Sequence, residues 1–176
     1  MKLDRIDRKI LELLQKDAGI SNLELADQVG LSSSPCARRV RQLEESGIIR
    51  KRVTLLEPRA LGLQLVAFIQ INMDRHTPER FENFEELIRK YPEVVECDLV
   101  TGQTADYLLK VVVSDMDAYQ EFLLGKITRI EGVTGVQSSF VLRNVVDTTE
   151  LPLSLIHISE PTRPTATSRM PSSALK

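Results

Sequence analysis

Apolar positions in the first fifty residues recur at helical spacing. Ile6, Ile10, Leu13 and Leu14 follow an i, i+4, i+7, i+8 rhythm, while Arg5, Lys9, Glu12 and Lys16 occupy the other faces. The pattern predicts an amphipathic helix that ends at Asp17-Ala18-Gly19. Ser21 with Glu24 has the form of a capping box, and Ile20 with Leu25 that of a hydrophobic staple, so a second helix starts there. Its inward positions are Leu25, Ala26 and Val29, and Gly30 serves as its C-terminal cap. A third helix opens at Ser32 to Ser34, with Pro35 in a first turn that has no use for its missing N–H. Cys36, Val40 and Leu43 face inward, and Gly47 ends the helix. Three short helices with a tight Gly30-Leu31 turn before the last predict a helix-turn-helix. The basic, β-prone segment Ile48 to Leu56 is expected to add a strand pair or wing.

Beyond the turn-like hinge Glu57-Pro58-Arg59-Ala60-Leu61-Gly62 the period changes. Leu65, Ala67, Ile69, Ile71 and Met73 alternate with Val66, Phe68, Gln70 and Asn72, which is a strand pattern. Thr77-Pro78 opens a helix with Phe81, Phe84, Leu87, Ile88 and Tyr91 on one face, and Pro92 stops it. Val94 to Val100 and Tyr107 to Val113 read as strands around a polar loop. Asp115 to Ile130 reads as a helix with Met116, Tyr119, Leu123, Ile127 and Ile130 inward, and Gly132 to Asn144 as a last long strand. The order β-α-β-β-α-β is the ferredoxin-like plan. It leaves one sheet face open, which a second copy would cover. The expected fold is therefore α+β: a winged helix-turn-helix over residues 1–60, then a ferredoxin-like, ACT-like βαββαβ domain over 61–153. Residues 154–176, rich in Ser, Thr and Pro, show neither period and are expected to be a disordered tail of adapter-derived rather than native origin.

Charge sharpens this picture locally. The net charge of −2 speaks against a uniformly basic coat protein. Between Leu31 and Arg59, however, seven basic residues (38, 39, 41, 50, 51, 52, 59) stand against three glutamates (44, 45, 57), a surplus of four. DNA affinity needs a basic face, not a basic molecule. On the third helix, Ser34, Arg38 and Arg41 share the outward face with Arg39 and Gln42 on its flank, and Ser32 and Ser33 sit at its N-terminus. Helix N-termini and serine hydroxyls suit phosphate, and an arginine grips a guanine edge with two hydrogen bonds. Lys51 and Arg52 suit phosphate contacts that set affinity and register.

Other chemistries find little footing. Cys36 and Cys97 are too few and isolated for a disulfide framework or a metal site and read as core thiols. The histidines are His76 in a loop and His157 in the tail, and no HExxH, Walker loop, GxGxxG or nucleophile elbow is present. The reading is therefore of a non-enzyme with no catalytic residues, metal or cofactor. Without a bilayer-length apolar run, and with Lys2, Asp4 and Arg5 breaking any leader, the expected location is cytoplasmic.

The stretches LDRIDRKILELLQKD, SNLELADQVGLSSSPCARRVRQLEESGII, EPRALGL, ECDLVTGQTADYLLKV and IEGVTGVQSSFVL resemble the leucine-responsive regulatory protein family, also called Lrp/AsnC or feast/famine regulators. The resemblance spans Leu3 to Leu153 and implies a DNA-binding domain followed by a domain that binds amino-acid effectors. It also implies homodimers, with octamers as a higher assembly. Family members carry a G-D-x-D-Y loop that helps form the effector pocket. Here Gly102-Gln103-Thr104-Ala105-Asp106-Tyr107 is one residue longer and lacks the first aspartate. Gly102, Asp106 and Tyr107 carry over, and Gln103 and Thr104 do so as loop neighbours. Asp106 suits an effector's ammonium through a charge-assisted bond, and Ser138 on the last strand is a further lining candidate. The competing reading is a solvated hairpin loop in which Asp106 caps a strand end. At the level of function the expectation is a sequence-specific regulator that responds to an amino acid. Its rivals are an effector-blind architectural DNA-binding protein and a sensor acting on a protein partner.

Overall fold

The computed structural model describes residues 2–102 and 104–156, so Gln103, His157 and the rest of the tail lie outside the described residues. The described residues divide into two compact units, one formed by residues 2–54 together with 148–156, the other by Leu55–Asp147.

The first unit holds α1 (Arg5–Lys16), α2 (Asn22–Val29) and α3 (Ser33–Glu45). Helix α1 begins at Asp4, whose side chain accepts the Asp7 N–H while the Asp7 side chain accepts the Asp4 N–H. This reciprocal cap satisfies two of the amides that a helix start leaves without partners. At α2, the Ser21 hydroxyl accepts the Glu24 N–H at 3.2 Å. Gly30 adopts φ 71°, and the Leu31 and Gly30 amides donate to Ala26 and Asp27 carbonyls, the Schellman ending that reverses the chain toward α3. Ile10, Leu11, Leu25, Ala26, Val29, Cys36 and Leu43 form the core. Residues from Thr148 return to this unit: Leu153 packs on that core, and the Gln15 amide both donates to the Leu151 carbonyl and accepts its N–H.

The expected wing strands do not form. Residues 50–57 are exposed and enter no ladder. The run has no second strand to pair with and no tight turn to fold it back, and Arg50, Lys51 and Arg52 place three like charges in succession.

The second unit is a four-stranded antiparallel sheet of order β2-β3-β1-β4, with β1 (Leu65–Met73), β2 (Val94–Leu99), β3 (Tyr107–Val113) and β4 (Val133–Phe140). Helices α4 (Pro78–Ile88) and α5 (Met116–Gly125) connect the strands in the ferredoxin-like manner. Ala67, Ile69, Ile71 and Met73 of β1 and Tyr107, Leu109, Val111 and Val113 of β3 share one core with Phe84, Ile88, Tyr119 and Phe122 of the helices. The opposite sheet face presents Val66, Phe68, Gln70, Leu108, Lys110 and Val112, none of them fully buried.

Two elements are shorter than their patterns suggest. Helix α5 stops at Gly125, and a 3-10 turn over Ile127–Arg129 brings Ile127 and Ile130 to the core that a continued helix was expected to reach. Strand β4 ends at Phe140, which pairs with Ala67, and one further hydrogen bond, from the Val141 N–H to the Val66 carbonyl, closes the ladder.

Candidate nucleic-acid interface and ligand loop

Helix α3 is positioned by its inward face and by two polar ties. Cys36 and Leu43 are fully buried, with Val40 packed beside them. Asn22 Nδ2, at the start of α2, donates to the Ser33 carbonyl at 2.9 Å and locks the two helix starts together. Arg39 makes the second tie: its Nη1 donates at 2.7 Å both to Asp4 Oδ2 and to Asp7 Oδ1. Asp7 is the buried charged residue of this unit, at 3% exposure. The Asp7 and Asp4 carboxylates hold the guanidinium's pKa above its ordinary value against the opposing effect of burial.

This arrangement separates the candidate DNA-contacting residues. Ser32, Ser34, Arg38, Arg41 and Gln42 are exposed, as are Lys51 and Arg52, whereas Ser33 and Arg39 are half-buried. Arg39 thus belongs to the scaffold that holds α3, and the outward basic pair is Arg38 with Arg41. The Ser32 side chain makes no capping hydrogen bond. Arg52 Nη2 lies 3.1 Å from Glu44 Oε1, an exposed pair of the kind that contributes little and exchanges readily. Cys36 is a fully buried core thiol whose pKa burial pushes up, with Arg39 opposing.

In the second unit the loop between β2 and β3 is laced to the end of β1. The Asp106 N–H donates to the Ile71 carbonyl at 2.9 Å, and its carbonyl accepts the Val100 N–H at 2.8 Å. Asp106 Oδ2 accepts the Met73 N–H at 2.7 Å, and Asn72 Nδ2 donates to the Thr104 carbonyl at 3.1 Å. Asp106 Oδ1 lies 2.8 Å from His76 Nε2. Gly102 and Thr104 are exposed around this anchored base, and Gln103 lies outside the described residues.

Two of the loop-associated candidates sit elsewhere than a lining role requires. Tyr107 is 1% exposed, with its ring against Phe81 and Phe84 and its hydroxyl donating to Glu85 at 3.0 Å. Burial, then the Glu85 carboxylate, drives its pKa up. It is a core residue. Ser138 faces the helix-covered side of the sheet, opposite Ile69, where its hydroxyl is hydrogen-bonded to Tyr119. Gly102, Thr104 and Asp106 therefore remain together at the loop. His76, passed over as a lone loop histidine, joins them, and its position three residues beyond Met73 was the available signal. Asp4 and Asp7 were also missed, although an Asp-x-x-Asp start to a helix is a reciprocal-cap pattern.

A helix-turn-helix with an outward arginine face, joined to a ferredoxin-like unit with an anchored polar loop, defines the class of ligand-responsive DNA-binding regulators. Known proteins agree with that class. Residues 3–50 match the winged helix-turn-helix DNA-binding model, and residues 66–151 match the Lrp/AsnC ligand-binding domain. The leucine-responsive regulatory protein of Escherichia coli is 44% identical over 149 residues, covering 85% of this chain and 90% of its own. A Neisseria meningitidis transcriptional regulator solved as its L-Met complex superposes with a TM-score of 0.83 at 44% identity, covering 86% of this chain and 97% of that one. An AsnC-family regulator from Agrobacterium tumefaciens gives a TM-score of 0.82 at 43% identity, over 86% and 98% of the two chains. The chain belongs to the Lrp/AsnC family of transcriptional regulators. No helix among the described residues is long and apolar enough to cross a membrane, and they contain no cluster of three or more His, Cys, Asp or Glu able to hold a metal ion.

Proposed function

We propose that this regulator reads duplex DNA with Ser34, Arg38, Arg41 and Gln42 of α3, and that a free amino acid at the 102–106 loop alters its assembly and DNA affinity. The single observation carrying the DNA reading is the division of labour on α3. Arg39 is bound to Asp4 and Asp7, while Arg38 and Arg41 stay on the exposed side. Lys51 and Arg52, in the extended segment that follows, supply phosphate contacts that set register. Ser32 and Ser33 stand at the helix N-terminus, where N–H groups favour phosphate.

The open sheet face with Val66, Phe68 and Val112 is the surface on which a second copy packs. A homodimer, or an octamer built from it, presents paired α3 helices to major grooves about 34 Å apart. An amino acid shifts the balance between assemblies by the difference in its affinity for them. The L-Met complex of the Neisseria meningitidis relative supports an amino acid as effector, and the anchored carboxylate of Asp106 supports recognition of its ammonium. The protein acts in the cytoplasm as a regulator rather than a catalyst.

Fluorescence anisotropy of the full chain on the DNA upstream of its own gene, against a scrambled duplex, tests this reading with and without each common L-amino acid. Preferential binding that one amino acid shifts is the expected result. Equal affinity for both duplexes, unmoved by any amino acid, would replace it with an effector-blind architectural role.

A further inference from the structure

Both carboxylate oxygens of Asp106 are already in use. Oδ2 accepts the Met73 backbone N–H, and Oδ1 faces His76 Nε2 at 2.8 Å. The two contacts differ in kind. Met73 is the last residue of β1, and Asp106 is itself tied into the sheet through Ile71 and Val100, so the Oδ2 contact is part of the ladder. His76 lies in the link between β1 and α4, its side chain 67% exposed and steadied by a stack on Phe81 at 5.9 Å between ring centroids. Exposed pairs of this type are weak and screened.

The link around His76 is pinned independently. Arg80 bridges Asp74 at 3.2 Å and Glu131 at 2.8 Å, and the Asp74 N–H donates to the Gly132 carbonyl. His76 can therefore leave Oδ1 by rotating its side chain, with no opening of the segment. What it leaves behind is a fixed carboxylate oxygen, oriented by Oδ2, at the base of the 102–106 loop. A primary ammonium offers Oδ1 what the departing imidazole offers, an N–H donor, adds a full positive charge of its own, and reaches Oδ1 at an ordinary charge-assisted distance.

We infer that His76 is an internal stand-in for the effector's ammonium: it occupies Asp106 Oδ1 in the free protein and must be displaced when an amino acid binds. This inference rests on the reading of the loop as the effector site. His76 then sets the concentration at which the regulator responds. The apparent affinity is reduced by the fraction of molecules in which Oδ1 is already taken, so removing the imidazole tightens binding roughly two- to sixfold.

The test is calorimetric titration of the full-length protein with L-methionine, comparing the natural sequence with His76→Ala and Asp106→Asn and using N-acetyl-L-methionine as the ligand without an ammonium. The expected result is tighter L-methionine binding by His76→Ala, loss of binding in Asp106→Asn, and no gain for the N-acetyl ligand with either histidine state. In the natural protein, saturating L-methionine should also shift the His76 ring resonances in NMR. If His76→Ala binds L-methionine no more tightly while Asp106→Asn loses it, the stand-in role is overturned and the effector site stands. If neither the natural protein nor His76→Ala binds L-methionine or any other common amino acid, the site itself falls and the stand-in role with it.

Discussion

Arg39 and Asp7 meet through Nη1 and Oδ1 at 2.7 Å, and this contact sets Arg39 apart from the exposed Arg38 and Arg41 of the third helix. Arg39→Ala leaves the Asp7 carboxylate buried without its charge partner. Loss of one member of a buried pair costs about 3–5 kcal/mol. Here the expected loss is about 2–3 kcal/mol, since Asp7 keeps the Asp4 N–H and the guanidinium is partly solvated. Urea titration should show that loss as a lower midpoint. Specific DNA affinity per folded molecule should change less than twofold. A tenfold loss of affinity with unchanged stability would return Arg39 to the reading face.

Acid should loosen the same corner. Burial pushes the Asp4 carboxyl up, but the Asp7 N–H and the Arg39 guanidinium outweigh it and hold the pKa below its ordinary value. A depressed folded-state pKa means the contribution is complete above the unfolded value, about 3.9, and is lost as pH falls through the folded value. Melting temperatures of the natural protein and Asp4→Asn should therefore differ most above about pH 5 and converge as pH falls below about 4. A gap that stays constant down to the lowest pH would show that Asp4 acts only as a neutral cap.

The fold was legible wherever burial enforces a period. Ile10, Leu25, Ala26 and Leu43 in one unit and Ala67, Ile69 and Ile71 in the other lie where spacing placed them. The strand pairing expected over residues 48–56 was not, because β-propensity is readable locally whereas a partner strand is not. The end of α5 was readable at Gly125, yet the apolar rhythm through Ile127 and Ile130 masked it. Arg38 and Arg39 look alike in sequence; only a contact across 32 residues separates them. Tyr107 carries two signals at once. It alternates with Leu109, Val111 and Val113 and was visible as core, but the loop motif drew it into the site.

Tyr107→Phe separates these two roles. The substitution keeps the ring between Phe81 and Phe84 and removes the hydrogen bond to Glu85, which retains Arg89 at 2.9 Å. A loss of about 1 kcal/mol in stability is expected, with effector affinity changed less than twofold. A large fall in affinity at unchanged stability would make the hydroxyl a ligand contact.

Two glycines with left-handed backbone should respond differently to alanine. At Gly30, φ is 71° and no atom lies within 4 Å of the added Cβ, so the cost is the backbone strain alone, about 1–2 kcal/mol. At Gly132, φ is 96° and the Cβ would meet Arg80 Cδ and Asp74 Oδ1 at 3.1 Å. That clash adds to the strain and pries at the Arg80–Asp74 pair, giving about 2–4 kcal/mol. Native-state hydrogen exchange reads each unit from its own amides. Gly30→Ala should weaken protection in α1 to α3, and Gly132→Ala more strongly in the sheet. Equal effects would mean that Arg80 yields without cost.

Arg38 and Lys51 should leave opposite signatures on DNA. Arg38 stands one helical turn beyond Ser34 on the outward side of α3, where a guanidinium reaches base edges. Lys51 lies in the exposed extended segment and suits phosphate. Arg38→Ala should weaken binding to the cognate duplex by about 1–3 kcal/mol and leave the scrambled duplex nearly untouched, so the specificity ratio falls. Lys51→Ala should weaken both duplexes alike and reduce the slope of log affinity against log salt by about 1. The slope is the deciding measurement, because counterion release registers every phosphate contact and no base contact. If Arg38→Ala instead lowers the slope and leaves the ratio intact, α3 rests on the backbone and the sequence must be read from another part of the chain.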